Sequence, residues 1–148
     1  MSDATVLIVE DNEDDFLLLE RAFHKAEIEA DLKWVKDGSD AKAYLLGEGP
    51  YADRVAYPLP VFILADLKMP RMDGFELLSW VRSIPAFRRL PFVVLTSSNQ
   101  NSDINRAYDM GANSYLVKPG EFQDLRRLSK SIRFYWLSVN QNPELPAY

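Results

Sequence analysis

Val61-Phe62-Ile63-Leu64-Ala65-Asp66-Leu67-Lys68-Met69-Pro70-Arg71-Met72-Asp73-Gly74 is an unbroken apolar run, then an acid, then turn chemistry. A short run bounded in this way reads as a strand buried on both faces. Asp66 stands where that strand leaves the core. In open parallel α/β sheets, ligands bind at the carboxyl edge of the strands. A second run, Thr5-Val6-Leu7-Ile8-Val9, ends in the same manner on Glu10 and Asp11. If the two strands are parallel neighbours, the three carboxylates meet at one edge. Such a concentration of negative charge is costly without a cation. The pattern points to a hard divalent metal site and to Asp66 as a reactive carboxylate.

Apolar runs alternate with amphipathic stretches on either side of this segment. Further strands are expected at Asp31–Val35, Phe92–Leu95 and Ser114–Val117. Helices are expected from Asp14 to Ala26, Asp40 to Leu46, Phe75 to Ser83, Asp103 to Met110, and Glu121 to Asn140. Repeated strand–helix units predict an α/β fold whose parallel sheet is covered on both faces. The doubly wound, flavodoxin-like (βα)5 arrangement, with strand order 2-1-3-4-5, brings Glu10 and Asp11 beside Asp66. Gly47–Pro60, rich in Gly, Pro and Tyr, reads as a long surface loop. Residues 1–140 form one domain in this reading. Residues 141–148, with two prolines, form an extended arm. Gly74 is expected to supply a positive φ before the third helix, and Gly111 to stop the fourth.

A chain of 148 residues, 47% hydrophobic and 26% charged, fits one ordinary globular domain. The absence of Cys excludes disulfides, thiolate metal sites and Cys nucleophiles. The start, Met1-Ser2-Asp3-Ala4, lacks a basic n-region, so no signal peptide is expected. No apolar stretch approaches a membrane span, and a cytoplasmic location is expected. The net charge of -5 argues against nucleic-acid binding.

Glu10-Asp11, Asp66, Thr96 and Lys118-Pro119 each fall at the end of an expected strand. In type, order and placement this constellation resembles the receiver domain of two-component response regulators. The resemblance runs from Val6 to about Val139; the gap between Asp11 and Asp66 is longer than usual because of the Gly47–Pro60 loop. It implies that a histidine kinase partner passes a phosphoryl group to Asp66. It further implies Mg²⁺ or Mn²⁺ held by Glu10, Asp11, Asp66 and the Lys68 backbone carbonyl. Lys118 and the Thr96 hydroxyl would hold phosphoryl oxygens, and Thr96 with Tyr115 would form a switch pair. A cis bond before Pro119 is implied as well. Taken singly, each of these residues also suits a cap, a turn or a solvated surface.

A metal-dependent Asp-nucleophile phosphatase is the competing enzyme reading. It usually needs a second acid two residues past the nucleophile, and that position is Lys68. A degenerate receiver acting as a scaffold is disfavoured, because every acceptor-site residue is present. His24, the only His, needs no role beyond packing or solvent contact. Arg126, Arg127, Lys130 and Arg133 read as a solvated basic stripe. In the fifth helix Phe122, Leu125, Leu128, Ile132 and Tyr135 form a core stripe, while Phe134, Trp136, Leu137 and Val139 leave its end apolar all round. Such an end needs a second partner surface. A homodimer through Phe134, Trp136, Leu137 and the arm containing Pro143, Leu145, Pro146 and Tyr148 is expected. The tail and the long loop resemble the response regulators paired with bacterial phytochromes.

Overall fold

The computed structural model describes residues 4–27 and 29–146. Its strands are β1 (Ala4–Val9), β2 (Ala30–Val35), β3 (Phe62–Ala65), β4 (Phe92–Thr96) and β5 (Ser114–Val117). They form one parallel sheet in the order β2-β1-β3-β4-β5. The register pairs Val9 with Ala65, so the residues that follow these two strands emerge side by side. β1, β3 and β4 are almost wholly buried because helices cover both faces.

The helices are α1 (Glu13–Lys25), α2 (Gly38–Leu46), α3 (Gly74–Ser83), α4 (Asn101–Asp109) and α5 (Phe122–Ile132). Alternate side chains of each strand point to opposite faces. Leu7, Val9, Ile63, Ala65, Phe92 and Val94 meet α2, α3 and α4. Val6, Ile8, Phe62, Leu64, Val93 and Leu95 meet Phe16, Leu19 and Phe23 of α1 and Ile132 of α5. Asn12, Asp37 and Asp73 cap α1, α2 and α3, each accepting from a backbone N–H three residues on. Gly111, at φ +106, ends α4 as expected. No helix among the described residues is long and apolar enough to cross a membrane.

Two expectations are corrected. Gly74 does not adopt a positive φ; Arg71, at φ +59, does so instead. Every peptide bond among the described residues is trans, including Lys118–Pro119. The Gly47–Pro60 loop runs along the surface as expected and is held down there. Arg54 donates to the carbonyls of Tyr44, Tyr57 and Leu45, at 2.8, 3.1 and 2.5 Å. The rings of Tyr44, Tyr51 and Tyr57 pack on one another with centroids 5.1–6.0 Å apart.

The end of α5 also departs from the expected pattern. Arg133–Val139 is π-helical, and the Asn140 N–H donates to the Tyr135 carbonyl, five residues back. Wider turns shift which side chains lie beneath Ile132. Trp136 and Leu137 turn inward onto the α1/α5 side of the core, with the Trp136 ring 6.0 Å from Phe62. Tyr135, expected in the core stripe, is exposed instead, beside Phe134 and Val139. In the arm, Leu145 packs against the opposite side of the core. Tyr148 lies outside the described residues.

Candidate functional site

The carboxyl edges of β1 and β3 deliver the three acids together. The Asp66 N–H donates to the Val9 carbonyl at 3.0 Å, and the Glu10 N–H to the Val35 carbonyl at 3.0 Å. Glu10 and Asp66 are buried, while Asp11 is exposed. Glu10, Asp11 and Asp66 can each present an oxygen within 4.8 Å of the others. One Asp66 oxygen, Oδ1, accepts from the backbone N–H groups of Leu67 at 2.7 Å and Lys68 at 3.3 Å. The other, Oδ2, accepts from the Lys118 ammonium at 2.8 Å.

Lys118 reaches these acids from the far side of the sheet. Its backbone N–H donates to the Thr96 carbonyl at 2.7 Å. Its ammonium also donates to Glu10 Oε1 and, at 2.9 Å, to Asp15 Oδ2. Burial alone would lower the pKa of Lys118, but the hydrogen bonds to Asp66, Glu10 and Asp15 outweigh it and raise the value. Burial pushes the Glu10 carboxyl up to about 7, with Lys118 pulling the other way and the charges of Asp66 and Asp15 adding to the rise. Glu10 Oε2 is buried with no hydrogen-bond partner. A hard divalent cation fits this all-oxygen donor set, and an orphaned buried carboxylate oxygen is what it would satisfy.

Thr96 is buried where β4 ends. The Tyr115 hydroxyl donates to the Ser98 carbonyl at 3.0 Å, which ties β5 to the loop after β4. Ser98 Oγ donates to Asp103 Oδ2 at 2.6 Å, and the exposed Lys68 ammonium stands 3.5 Å from the same oxygen. The hydrogen bond from Ser98, then the nearby Lys68 charge, holds the Asp103 carboxyl below its ordinary range.

Reading the sequence missed Asp15 and Asp103. The available signal for the first was its place in the opening turn of the helix that directly follows Glu10 and Asp11. Trp34 was missed as well. Its indole N–H donates to the Glu10 carbonyl at 2.7 Å, and its ring stacks on Phe16 at 4.7 Å. The basic residues Arg127, Lys130 and Arg133 are exposed, as is His24.

The response regulator receiver domain model matches residues 6–130. A probable methanogenesis regulatory protein, FilR2 of Methanothrix harundinacea, is 40% identical over 93% of this chain and 86% of its own length. The phosphorylated cyanobacterial phytochrome response regulator RcpA superposes with a TM-score of 0.88 at 35% identity, covering 97% of this chain and all of that one. Rcp1 of Synechocystis is 34% identical over 90% of this chain and 89% of its own. In its Mn²⁺-bound form it superposes with a TM-score of 0.84, covering 95% of this chain and 99% of that one. With the flavodoxin-like sheet and the acidic pocket at its edge, these likenesses settle the family: the chain is a response regulator receiver domain.

Proposed function

We propose that the chain accepts a phosphoryl group on Asp66 from a histidine kinase and signals through altered protein contacts. The observation that carries this reading is the Asp66 carboxylate itself. It is buried at a strand end, and backbone N–H groups fix one of its oxygens. The other faces Lys118, with Glu10 and Asp11 alongside. Phosphoryl transfer needs positioning and charge neutralisation above all. Asp66 would attack phosphorus as the P–N bond of a phosphohistidine breaks, giving an acyl phosphate. Lys118 and the Thr96 hydroxyl would hold the incoming oxygens. Glu10, Asp11, Asp66 and the Lys68 carbonyl would hold Mg²⁺ or Mn²⁺, which supplies positive charge to neutralise the transferring group. Thr96 would then move toward the phosphoryl group, and Tyr115 would exchange its contact with Ser98 for a new position.

Intact-mass analysis after acetyl phosphate and Mg²⁺ tests this. A gain of about 80 Da, lost in Asp66→Asn, is the expected result. Retention of that gain in the variant rejects the assignment.

Phytochrome-type kinases are the partner class this reading favours, since RcpA is named as a phytochrome response regulator. The site of action is the cytoplasm, where such a kinase domain meets its regulator. We place residues 1–140 in the receiver unit and treat residues 141–148 as an arm. A homodimer would use the exposed Phe134, Tyr135 and Val139, with the inward-turned Trp136 and Leu137 supporting them from beneath. Sedimentation of the full chain, compared with a chain lacking residues 140–148, separates dimer from monomer.

A further inference from the structure

Lys118 has three ammonium hydrogens, and each finds a carboxylate: Glu10, Asp66 and Asp15. The first two belong to the acid set already described. Asp15 does not. It sits in the first turn of α1, with its side chain 42% exposed against 16% for that of Lys118. It is also absent from the group of acids whose oxygens can converge on a metal. The described polar contact of its side chain is with the lysine.

The ion pair links two elements that no strand connects. Lys118 directly follows β5, an edge strand, and its side chain reaches past the end of β4 to the acids that follow β3 and β1. A four-carbon stem with free rotation at every bond does not hold one ammonium position unaided. During phosphoryl transfer, Asp66 and Glu10 both change what they bind. Asp66 becomes the acyl phosphate, and Glu10 belongs to the metal set. Asp15 is then the one carboxylate of the three whose bond to the ammonium is left in place.

Resting on the reading of Asp66 as phosphoacceptor, we propose that Asp15 is a positioning residue. It anchors the Lys118 ammonium from the α1 side, so that one of the two remaining N–H groups points at the incoming phosphoryl oxygen.

The test compares wild type, Asp15→Ala and Asp15→Asn, with thermal unfolding to verify the fold of each. Phosphorylation by saturating acetyl phosphate and Mg²⁺ is followed by intact mass. Asp15→Ala is expected to slow acceptance roughly tenfold, as loss of a positioning contact does, with half-saturating Mg²⁺ unchanged. Asp15→Asn keeps an acceptor oxygen and should recover most of the rate. An unchanged rate in Asp15→Ala overturns the proposal. So does faster acceptance in both variants, which would make Asp15 a mere opposing charge. Wild type that gains no phosphoryl mass on Asp66 overturns this proposal together with the reading of the site, whereas the other outcomes leave that reading intact.

Discussion

A Cβ added to Gly74 would stand 2.2 Å from the backbone carbonyl oxygen of Asp66 and 2.8 Å from the Leu67 Cα. The start of α3 therefore lies directly against the peptide that carries the Asp66 carboxylate. The Gly74 N–H also donates to the Leu67 carbonyl at 3.1 Å. Neither obstacle is a flexible side chain that can swing away. Gly74→Ala should cost about 2–3 kcal/mol by overpacking, measured by urea unfolding, and should lower phosphorylation because the Asp66 peptide has to move. Gly120→Ala, with nothing within 4 Å of the added carbon, is the control and should stay within about 0.5 kcal/mol of wild type.

Glu10 makes stability depend on pH in the metal-free protein. Its carboxyl lies near 7 in the folded chain against an ordinary 4.5. Between those values the folded chain keeps a proton that the unfolded chain has lost. Stability therefore falls as pH rises through that window and levels off above it. On the order of 1–3 kcal/mol is expected, read as the difference between wild type and Glu10→Gln in urea unfolding at pH 5.5 and pH 8. The variant should be the more stable of the two at pH 8. Saturating Mg²⁺ should remove most of that difference. A difference that does not change with pH counts against a buried Glu10 charge.

Asp11→Ala separates metal binding from folding. Asp11 is exposed and makes no described side-chain hydrogen bond or ion pair, so the variant should unfold within about 0.5 kcal/mol of wild type. Its Mg²⁺-dependent phosphorylation should be lost. Calorimetric titration with Mg²⁺ checks the cause, and normal binding would remove Asp11 from the donor set.

Arg54 tests whether the Gly47–Pro60 segment is a structural part of the domain. Arg54→Ala leaves the carbonyls of Tyr44, Leu45 and Tyr57 without this donor. A loss of about 1–3 kcal/mol is expected, with faster proteolysis between Gly47 and Pro60. Phosphorylation of Asp66 should be unchanged, since none of these groups touches the acids.

Much of the architecture was legible because burial on both faces leaves a plain sequence trace. The strand expected at Ser114–Val117 matches to the residue, and those ending at Val9, Val35 and Ala65 end there. The convergence of Glu10, Asp11 and Asp66 followed from strand order, and the place of Lys118 beside them from the receiver resemblance. What sequence could not carry was geometry decided by neighbours. A glycine before a helix signals either a positive φ or a close approach, and at Gly74 it is the approach. The tyrosines of the long loop read as surface residues because their partners, one another and Tyr44, are brought together only by the turn at Gly49–Tyr51. The π-helical winding after Ile132 exchanges Tyr135 for Trp136 and Leu137 on the core side, and no residue type announces it. Asp15 is one of three acids in the first turn of α1, and only the fold sets it apart by bringing Lys118 beside it.

Lys118 is separated from Glu10 by 108 positions and from Asp66 by 52. The acids gather as soon as β1 and β3 pair, but their counter-ion arrives only when β5 joins the edge of the sheet. Contacts this distant along the chain slow folding. Until then the acidic edge is left with unrelieved self-repulsion, which docking of the last strand relieves. On the reading of Asp66 as phosphoacceptor, a partly folded chain would offer a kinase the carboxylate without its lysine.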